Sequence, residues 1–77
     1  MEIQKFIEDF ESQFEESEGI VFSIKTRFRD IDEWSSLMAL SIIAMVDSEY
    51  NVKIKGDDIR NCQTIEDLFL IVKSRIK

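Results

Sequence analysis

Two adjacent serines, Ser35 and Ser36, stand between an acidic segment at residues 30–33 and an apolar run at residues 37–46. A serine hydroxyl becomes a strong nucleophile when a neighbouring base takes its proton, and histidine is the usual base. Because the chain contains no histidine, a catalytic Ser–His pair is excluded. A serine at the entrance of an apolar helix, with acidic residues and no base beside it, is better placed to be modified by another protein.

Other residues that could carry chemistry give weaker signals. Cys62 is the only cysteine, so it forms no internal disulfide and no Cys/His zinc cluster, and we expect a small buried residue there. The acids Asp30, Asp32 and Glu33 lack the glycine and terminal glutamate of an EF-hand loop. No glycine-rich phosphate loop is present either. The sequence therefore predicts neither a metal site nor an independent enzyme.

The overall composition limits the classes of fold and partner. The chain has 77 residues, 44% of them hydrophobic, with no proline and two glycines, which favours one helical domain over residues 1–77. A net charge of −6 repels nucleic acid. The longest apolar run is too short to cross a membrane, and the acidic first residues do not form a signal peptide. We therefore expect a soluble, cytoplasmic monomer that binds neither nucleic acid nor membrane.

The first part of the chain is predicted to form a helix and a long loop. Apolar residues at helical spacing indicate a helix over residues 3–17 that Gly19 ends. Phe6, Phe10 and Phe14 form one stripe on this helix, which we expect to lie in the core. The loop at residues 18–35 carries apolar residues, which suggests that it packs across the helices. Its basic residues are predicted to lie on a solvated loop edge; they are Lys25, Arg27 and Arg29.

The second part of the chain is predicted to form one long helix, one short helical turn and a last helix. The long helix covers residues 36–50, a linker covers 51–56, and the short turn covers 57–60. Val52 and Ile54 are expected to attach the linker to the core. Thr64 and Asp67 resemble a capping box at the start of the last helix. The fold class is therefore all-α, a small bundle of three long helices and one short helix with a long first loop. The predicted inner face of the last helix consists of Ile65, Leu68, Phe69, Val72 and Ile76.

The predicted second helix has two apolar sides. At 100° per residue, one side is expected to face the core and consists of Ala39, Ile42, Ile43, Val46 and Tyr50. The opposite side, with Met38 and Met45 on the flank, consists of Leu37, Leu40, Ser41, Ala44 and Ser48. Apolar residues on an outward face indicate a contact surface, although loop residues could also cover it. Asp47 and Glu49 oppose the helix dipole at its carboxyl end, which makes them candidates for partner recognition.

The chain resembles acyl carrier proteins and the related peptidyl carrier proteins. Their hallmark is Asp-Ser-Leu at the start of the second helix, and here the triplet reads Ser35-Ser36-Leu37. The likeness covers nearly the whole chain, including the second helix that ends in Glu49-Tyr50-Asn51-Val52-Lys53-Ile54 and the last helix that begins Thr64-Ile65-Glu66-Asp67-Leu68. The resemblance implies a bundle of three long helices and one short helix.

The resemblance also implies a function for Ser36. A separate, Mg²⁺-dependent phosphopantetheinyl transferase would attach 4′-phosphopantetheine from coenzyme A to the Ser36 hydroxyl, and the terminal thiol would carry acyl groups as thioesters. The partners implied are acyl-transferring and condensing enzymes. A phosphodiester in the first turn of a helix would lie near free backbone N–H groups. Trp34 is expected to anchor the loop that presents the serine. The expected partner contacts around this arm are Trp34, Leu37, Met38, Leu40, Ser41, Ala44 and Asp47.

Two departures from the family pattern bear on the partners. Ser35 replaces the aspartate before the serine, and Met38 and Ser41 stand where many fatty-acid carriers have acids. We therefore expect partners that rely on apolar contact. Two alternatives stay open at this stage: an aminoacyl or peptidyl carrier, and an unmodified helical module that binds a partner through its apolar face. Ser36 could also be a plain helix cap, or Ser35 could take that position.

Overall fold

The computed structural model describes residues 2–15 and 19–76, so residues 16–18, at the predicted junction of first helix and first loop, lie outside it. This part of the chain forms four α-helices and no strand, which confirms the predicted small all-α bundle. Three helices are long and one is short, as predicted, and a 3₁₀ turn (Phe28–Asp30) interrupts the first loop. The helices are α1 (Ile3–Glu11), α2 (Ser36–Tyr50), α3 (Gly56–Arg60) and α4 (Ile65–Arg75).

Helix α1 is shorter than the predicted first helix. It ends at Glu11, whose carbonyl accepts from the N–H of Phe14 at 3.0 Å in a tighter turn. The hydroxyl of Ser12 donates to the carbonyl of Asp9 at 2.7 Å, and such local bonds compete with helix continuation. Gly19, predicted to end the helix, lies in the loop with a φ of +82°, which glycine adopts without strain.

The phenylalanine stripe of α1 forms the centre of the core. Phe6 and Phe10 are fully buried, and Phe14 remains buried although the helix has ended before it. The rings of Phe10 and Phe14 lie 5.7 Å apart, Phe28 lies 5.5 Å from Phe10, and Phe69 lies 5.6 Å from Phe6. Each such pair contributes about 0.5–1.5 kcal/mol beyond the burial of its area. The aromatic core therefore joins α1 to both the first loop and α4.

The first loop packs against α4, as its apolar residues predict. The carbonyl of Thr26 accepts from the N–H of Ile65 at 3.1 Å, and the carbonyl of Ile24 accepts from the N–H of Glu66 at 2.9 Å. Phe28 from the 3₁₀ turn is fully buried. These bonds satisfy N–H groups in the first turn of α4 that have no partner within the helix. The loop is thereby fixed in place just before the two serines.

The predicted core face of α2 is confirmed in part: Ile42 and Val46 are fully buried, and Met38 and Met45 from the flank are buried in addition. Its buried residues are Met38, Ile42, Met45 and Val46. Met38, which the sequence assigns to the partner-binding surface, is only 8% exposed, so that assignment is corrected. Helix α2 contacts both α1 and α3, and because its apolar residues lie on two sides, periodicity alone does not decide which side is buried. The half-buried remainder of the predicted core face is Ala39, Ile43 and Tyr50.

A left-handed C-cap residue ends α2, and two buried side chains fix the linker that follows. Asn51 adopts a left-handed conformation, with φ of +56°, and its N–H donates to the carbonyl of Asp47 at 3.0 Å. This is the usual geometry of a helix C-cap. Val52 and Ile54 are each 4% exposed, so they attach the linker to the core as the sequence predicts.

Helix α4 is capped and paired at its two ends. Thr64 and Asp67 form the predicted capping box, and near the other end Arg75 makes two bonds of 2.9 Å to the carboxylate of Asp58. Ile76 follows the last helical residue, where the chain becomes extended, and is 40% exposed. Its predicted place on the inner face is therefore wrong. The inner face that the structure confirms consists of Ile65, Leu68, Phe69 and Val72.

Candidate functional site

The two serines at the start of α2 have different roles. Ser35 is the N-cap: its backbone is extended and its hydroxyl oxygen accepts from the N–H of Met38 at 3.3 Å. Its carbonyl accepts from the N–H of Ala39 at 3.0 Å. Ser36 is the first residue of the helix and is exposed. Because Ser35 performs the capping, the hydroxyl of Ser36 is left for another role.

The first turn of α2 leaves backbone donors open. Within the part of the chain that the structure describes, no group accepts a hydrogen bond from the N–H of Ser36 or Leu37. The first turn also contains no acidic residue. The positive end of the helix dipole is therefore not compensated, and an anion attached to Ser36 would lie next to it.

Trp34 positions the serines against the aromatic core. Its ring centroid lies 4.8 Å from that of Phe28 and 6.4 Å from that of Phe14. The backbone N–H of Trp34 donates to the carbonyl of Ile31 at 2.9 Å. The loop before α2 is thus anchored by Trp34, as the sequence predicts. The side chain remains half-buried, so part of it also faces the surface beside Ser36.

The predicted partner contacts on α2 separate into exposed and covered residues. Leu37 is 74% exposed and Leu40 is 60% exposed, and Ala44 is exposed as well. Ser41 is half-buried on the side of α2 that faces α1. The carboxylate of Asp47 pairs with Lys53 at 3.4 Å. The surface that Ser36 shares with large apolar side chains is therefore narrower than the one predicted from the sequence.

Val21 is an exposed apolar residue that sequence reasoning missed. It lies in the first loop and is 87% exposed, more than any other large apolar residue that the structure describes. The alternation of Ile20, Phe22 and Ile24 contained the signal, because the residue between two inward-facing positions of an extended segment points outward. All three neighbours are indeed half-buried.

A groove of about 500 Å³ runs between α2 and α3, and Ser36 lies on its wall. Its apolar lining comes from Trp34, Ala39, Leu40, Ile43 and Ile59, and its charged lining from Arg29 and Arg60. Arg29 is exposed, as predicted for a solvated loop edge, and it also donates to the carbonyl of Arg60 at 3.1 Å and to that of Cys62. Arg29 and Arg60 are 31 positions apart, so no local sequence pattern predicts this contact.

The site contains a hydroxyl but no group that activates it. Among residues 2–15 and 19–76, no base accepts a hydrogen bond from Ser36. Cys62 is 1% exposed, its thiol donates to the carbonyl of Asp58 at 3.1 Å, and burial raises the pKa of this thiol to about 11. A thiol in this state is a poor nucleophile at neutral pH. The arrangement can accept a group from a donor that brings its own base.

Neither a metal centre nor a membrane-spanning helix is found among residues 2–15 and 19–76. In these ranges no set of three or more His, Cys, Asp or Glu side chains is placed to hold a metal ion. No helix in the same ranges has the length and apolar character needed to cross a membrane.

The chain matches no protein-family model, no curated protein and no solved structure.

Proposed function

We propose that the chain is an acyl carrier protein whose 4′-phosphopantetheine arm is attached to Ser36 and carries acyl intermediates as thioesters. The observation that supports this most strongly is that Ser35, and not Ser36, is the N-cap of α2. Ser35 caps α2, and Ser36, the first helical residue, has an exposed hydroxyl that makes no hydrogen bond to a described residue. A helix cap would be the ordinary explanation for a serine at this place, and that explanation applies to Ser35.

The electrostatics of the first turn also favour this assignment. A phosphodiester on Ser36 would be close to the open N–H groups of Ser36 and Leu37 and to an uncompensated dipole. The lack of a base beside Ser36 is compatible with the proposal, because a phosphopantetheinyl transferase would supply the activation together with Mg²⁺ and coenzyme A.

The proposed partners are this transferase and enzymes that transfer or condense acyl groups. They would reach Ser36 across Leu37 and Leu40, the two most exposed apolar residues of α2. The helix carries no charged residue before Asp47, so partner binding would depend on apolar contact. Binding to such an enzyme should change little between low and high salt; a large loss of affinity at high salt would contradict this part of the proposal.

The proposal is tested by modification of the purified protein. The chain is incubated with coenzyme A, Mg²⁺ and a broad-specificity phosphopantetheinyl transferase, and the intact mass is measured. We expect a gain of one phosphopantetheinyl unit in the natural chain and in Ser35→Ala, and none in Ser36→Ala. Circular dichroism of all three proteins serves as the control for folding. A gain that persists in Ser36→Ala, or no gain in the folded natural chain, would contradict the proposal.

An unmodified helical interaction module is the second candidate, and the exposure of Leu37, Leu40 and Val21 favours it. It predicts partner binding through these side chains whether or not Ser36 is present. The cargo is a separate question, since an aminoacyl or peptidyl carrier would use the same arm on Ser36.

A further inference from the structure

The two sides of α2 carry opposite charge. On the α3 side, the groove that Ser36 lines has two ionisable residues in its wall, and both are arginines, Arg29 and Arg60. On the α1 side, two other grooves run along the helix, and every ionisable residue in their walls is an acid. These acids are Asp9, Glu15, Glu33 and Glu49, of which Asp9 and Glu49 are partly compensated by Lys5 at 2.8 and 3.5 Å. In a chain with net charge −6, the groove beside Ser36 is therefore a local exception.

Arg29 supplies the more effective positive charge of the pair. Its guanidinium is held by the carbonyls of Arg60 and Cys62 at the end of α3, which fixes its orientation. Among the described residues no carboxylate pairs with it, although the chain has 16 acidic residues. Arg60 is paired with Asp57, so its charge is partly compensated. Arginine presents a rigid set of donors that suits phosphate oxygens.

We infer that Arg29 and Arg60 form an anion-binding wall beside Ser36, which draws the phosphodiester of a group on the Ser36 hydroxyl to the α3 side of α2. The inference deepens the proposed function and takes its biological meaning from it. The arm would leave Ser36 along the apolar wall of this groove and away from the acidic α1 side. Arg29 would act as a positioning residue that sets the direction of the arm.

The inference is tested with charged thiol reagents and requires no transferase. Ser36→Cys places a thiol in the arginine-lined groove, and the matched control Ala44→Cys places one at an exposed position on the acidic side. Each thiolate attacks the sulfenyl sulfur of a methanethiosulfonate, forming a mixed disulfide and releasing methanesulfinate. One reagent carries a sulfonate, with the single negative charge of a phosphodiester, and the other carries a trimethylammonium group.

The measured quantity is the ratio of the two rate constants at one thiol, anionic reagent over cationic reagent. The ratio cancels the fraction of thiolate, which differs between positions. The natural chain serves as background, because the thiol of Cys62 is 1% exposed. At low salt we expect the ratio for Ser36→Cys to be about threefold or more above that for Ala44→Cys, and the two ratios to converge in high salt.

Variants of Arg29 and Arg60 test whether these side chains raise the ratio of rate constants at Ser36→Cys. Adding Arg60→Gln to Ser36→Cys should lower the ratio about twofold at low salt, and adding Arg29→Gln should lower it further. Arg29 also binds two carbonyls of the fold, so Arg60→Gln and the salt dependence keep the test valid if Arg29→Gln does not fold. Equal ratios at the two positions, or a ratio that Arg60→Gln leaves unchanged, would overturn the inference.

The outcomes of the two experiments are independent. A high ratio at Ser36→Cys without a mass gain from the transferase would support the anion-binding wall and contradict the carrier function. A mass gain with equal ratios would support the carrier function and overturn the wall.

Discussion

Helices α2 and α4 begin with the same capping chemistry but differ in everything around it. In each, a hydroxyl residue precedes the helix and accepts from the N–H three positions later: Ser35 from Met38 at 3.3 Å, and Thr64 from Asp67 at 3.2 Å. Apart from this shared bond, the first-turn N–H groups of α4 have acceptors within the protein, whereas those of Ser36 and Leu37 in α2 have none among the described residues.

At the start of α4, each backbone donor of the first turn has a partner within the protein. Loop carbonyls accept from the N–H groups of Ile65 and Glu66. The carboxylate of Asp67 accepts from the N–H groups of Gln63 and Thr64 at 3.0 and 3.1 Å, and two acids compensate the helix dipole. No donor is left for a ligand.

At the start of α2, no described residue accepts from the first two N–H groups, the first turn contains no acid, and the first two side chains are exposed. A helix end of this kind adds less to stability than a closed one and can bind or carry an anion. The start of α4 is therefore fixed to the rest of the bundle, whereas the first N–H groups of α2 have no acceptor among the described residues.

The largest expected difference comes from truncating an apolar side chain in each first turn. Ile65→Ala removes a fully buried side chain and should lower the free energy of unfolding by about 2–5 kcal/mol. Leu37→Ala removes a side chain that is 74% exposed and should change it by no more than about 0.5 kcal/mol. Denaturant unfolding of both variants measures this. Similar losses would mean that the start of α2 is covered.

A smaller difference is expected from removing each cap. Thr64→Ala breaks a reciprocal capping box and should lower the free energy of unfolding by about 1–2 kcal/mol. Ser35→Ala breaks one bond of 3.3 Å and should cost about 0.5–1 kcal/mol. Thermal unfolding followed by circular dichroism compares the two. A larger loss in Ser35→Ala than in Thr64→Ala would reverse the proposed roles.

The smallest expected effect is a pH dependence that belongs to α4 alone. N–H groups of Gln63 and Thr64 donate to Asp67 and hold the pKa of its carboxyl below the usual 3.8. Because the pKa is lower in the folded state, the charged carboxylate stabilises the protein above pH ~4, and this stability is lost as the pH falls through the folded pKa.

Asp67→Asn should therefore be less stable than the natural chain at neutral pH, with the difference shrinking below pH ~4. Denaturant unfolding at several pH values measures it. Glu66→Gln is the control, since this exposed neighbour removes a first-turn charge without breaking the capping box. A difference between Asp67→Asn and the natural chain that did not change with pH would contradict the assignment to this carboxylate.

Features of the fold that depend on neighbours in the sequence could be predicted well. The capping box of Thr64 and Asp67 involves residues three apart, and the stripe of Phe6 and Phe10 follows one helix face, so both were predicted. The ends of α1 and α4 were placed less well. A turn at Ser12 stopped α1 early, and an extended backbone at Ile76 turned that side chain outward.

The candidate site was predicted only in part. Ser36 and the anchoring by Trp34 could be inferred from the sequence, as could the exposure of Leu37 and Leu40. The burial of Met38 could not, because α2 is apolar on two sides and only the packing of its neighbours selects one. The choice between the serines as cap also stayed open, since adjacent serines offer the same hydroxyl.

The sequence alone determined the class of fold and the chemistry that is absent. Helical spacing of apolar residues, two glycines and no proline lead to an all-α bundle, and without histidine a Ser–His pair cannot form. The tertiary structure alone decided which serine is left free and that Arg29 and Arg60 line the groove beside it. The physical reason is range: caps and stripes act over three or four residues, whereas Arg29 reaches the end of α3 across 31 positions.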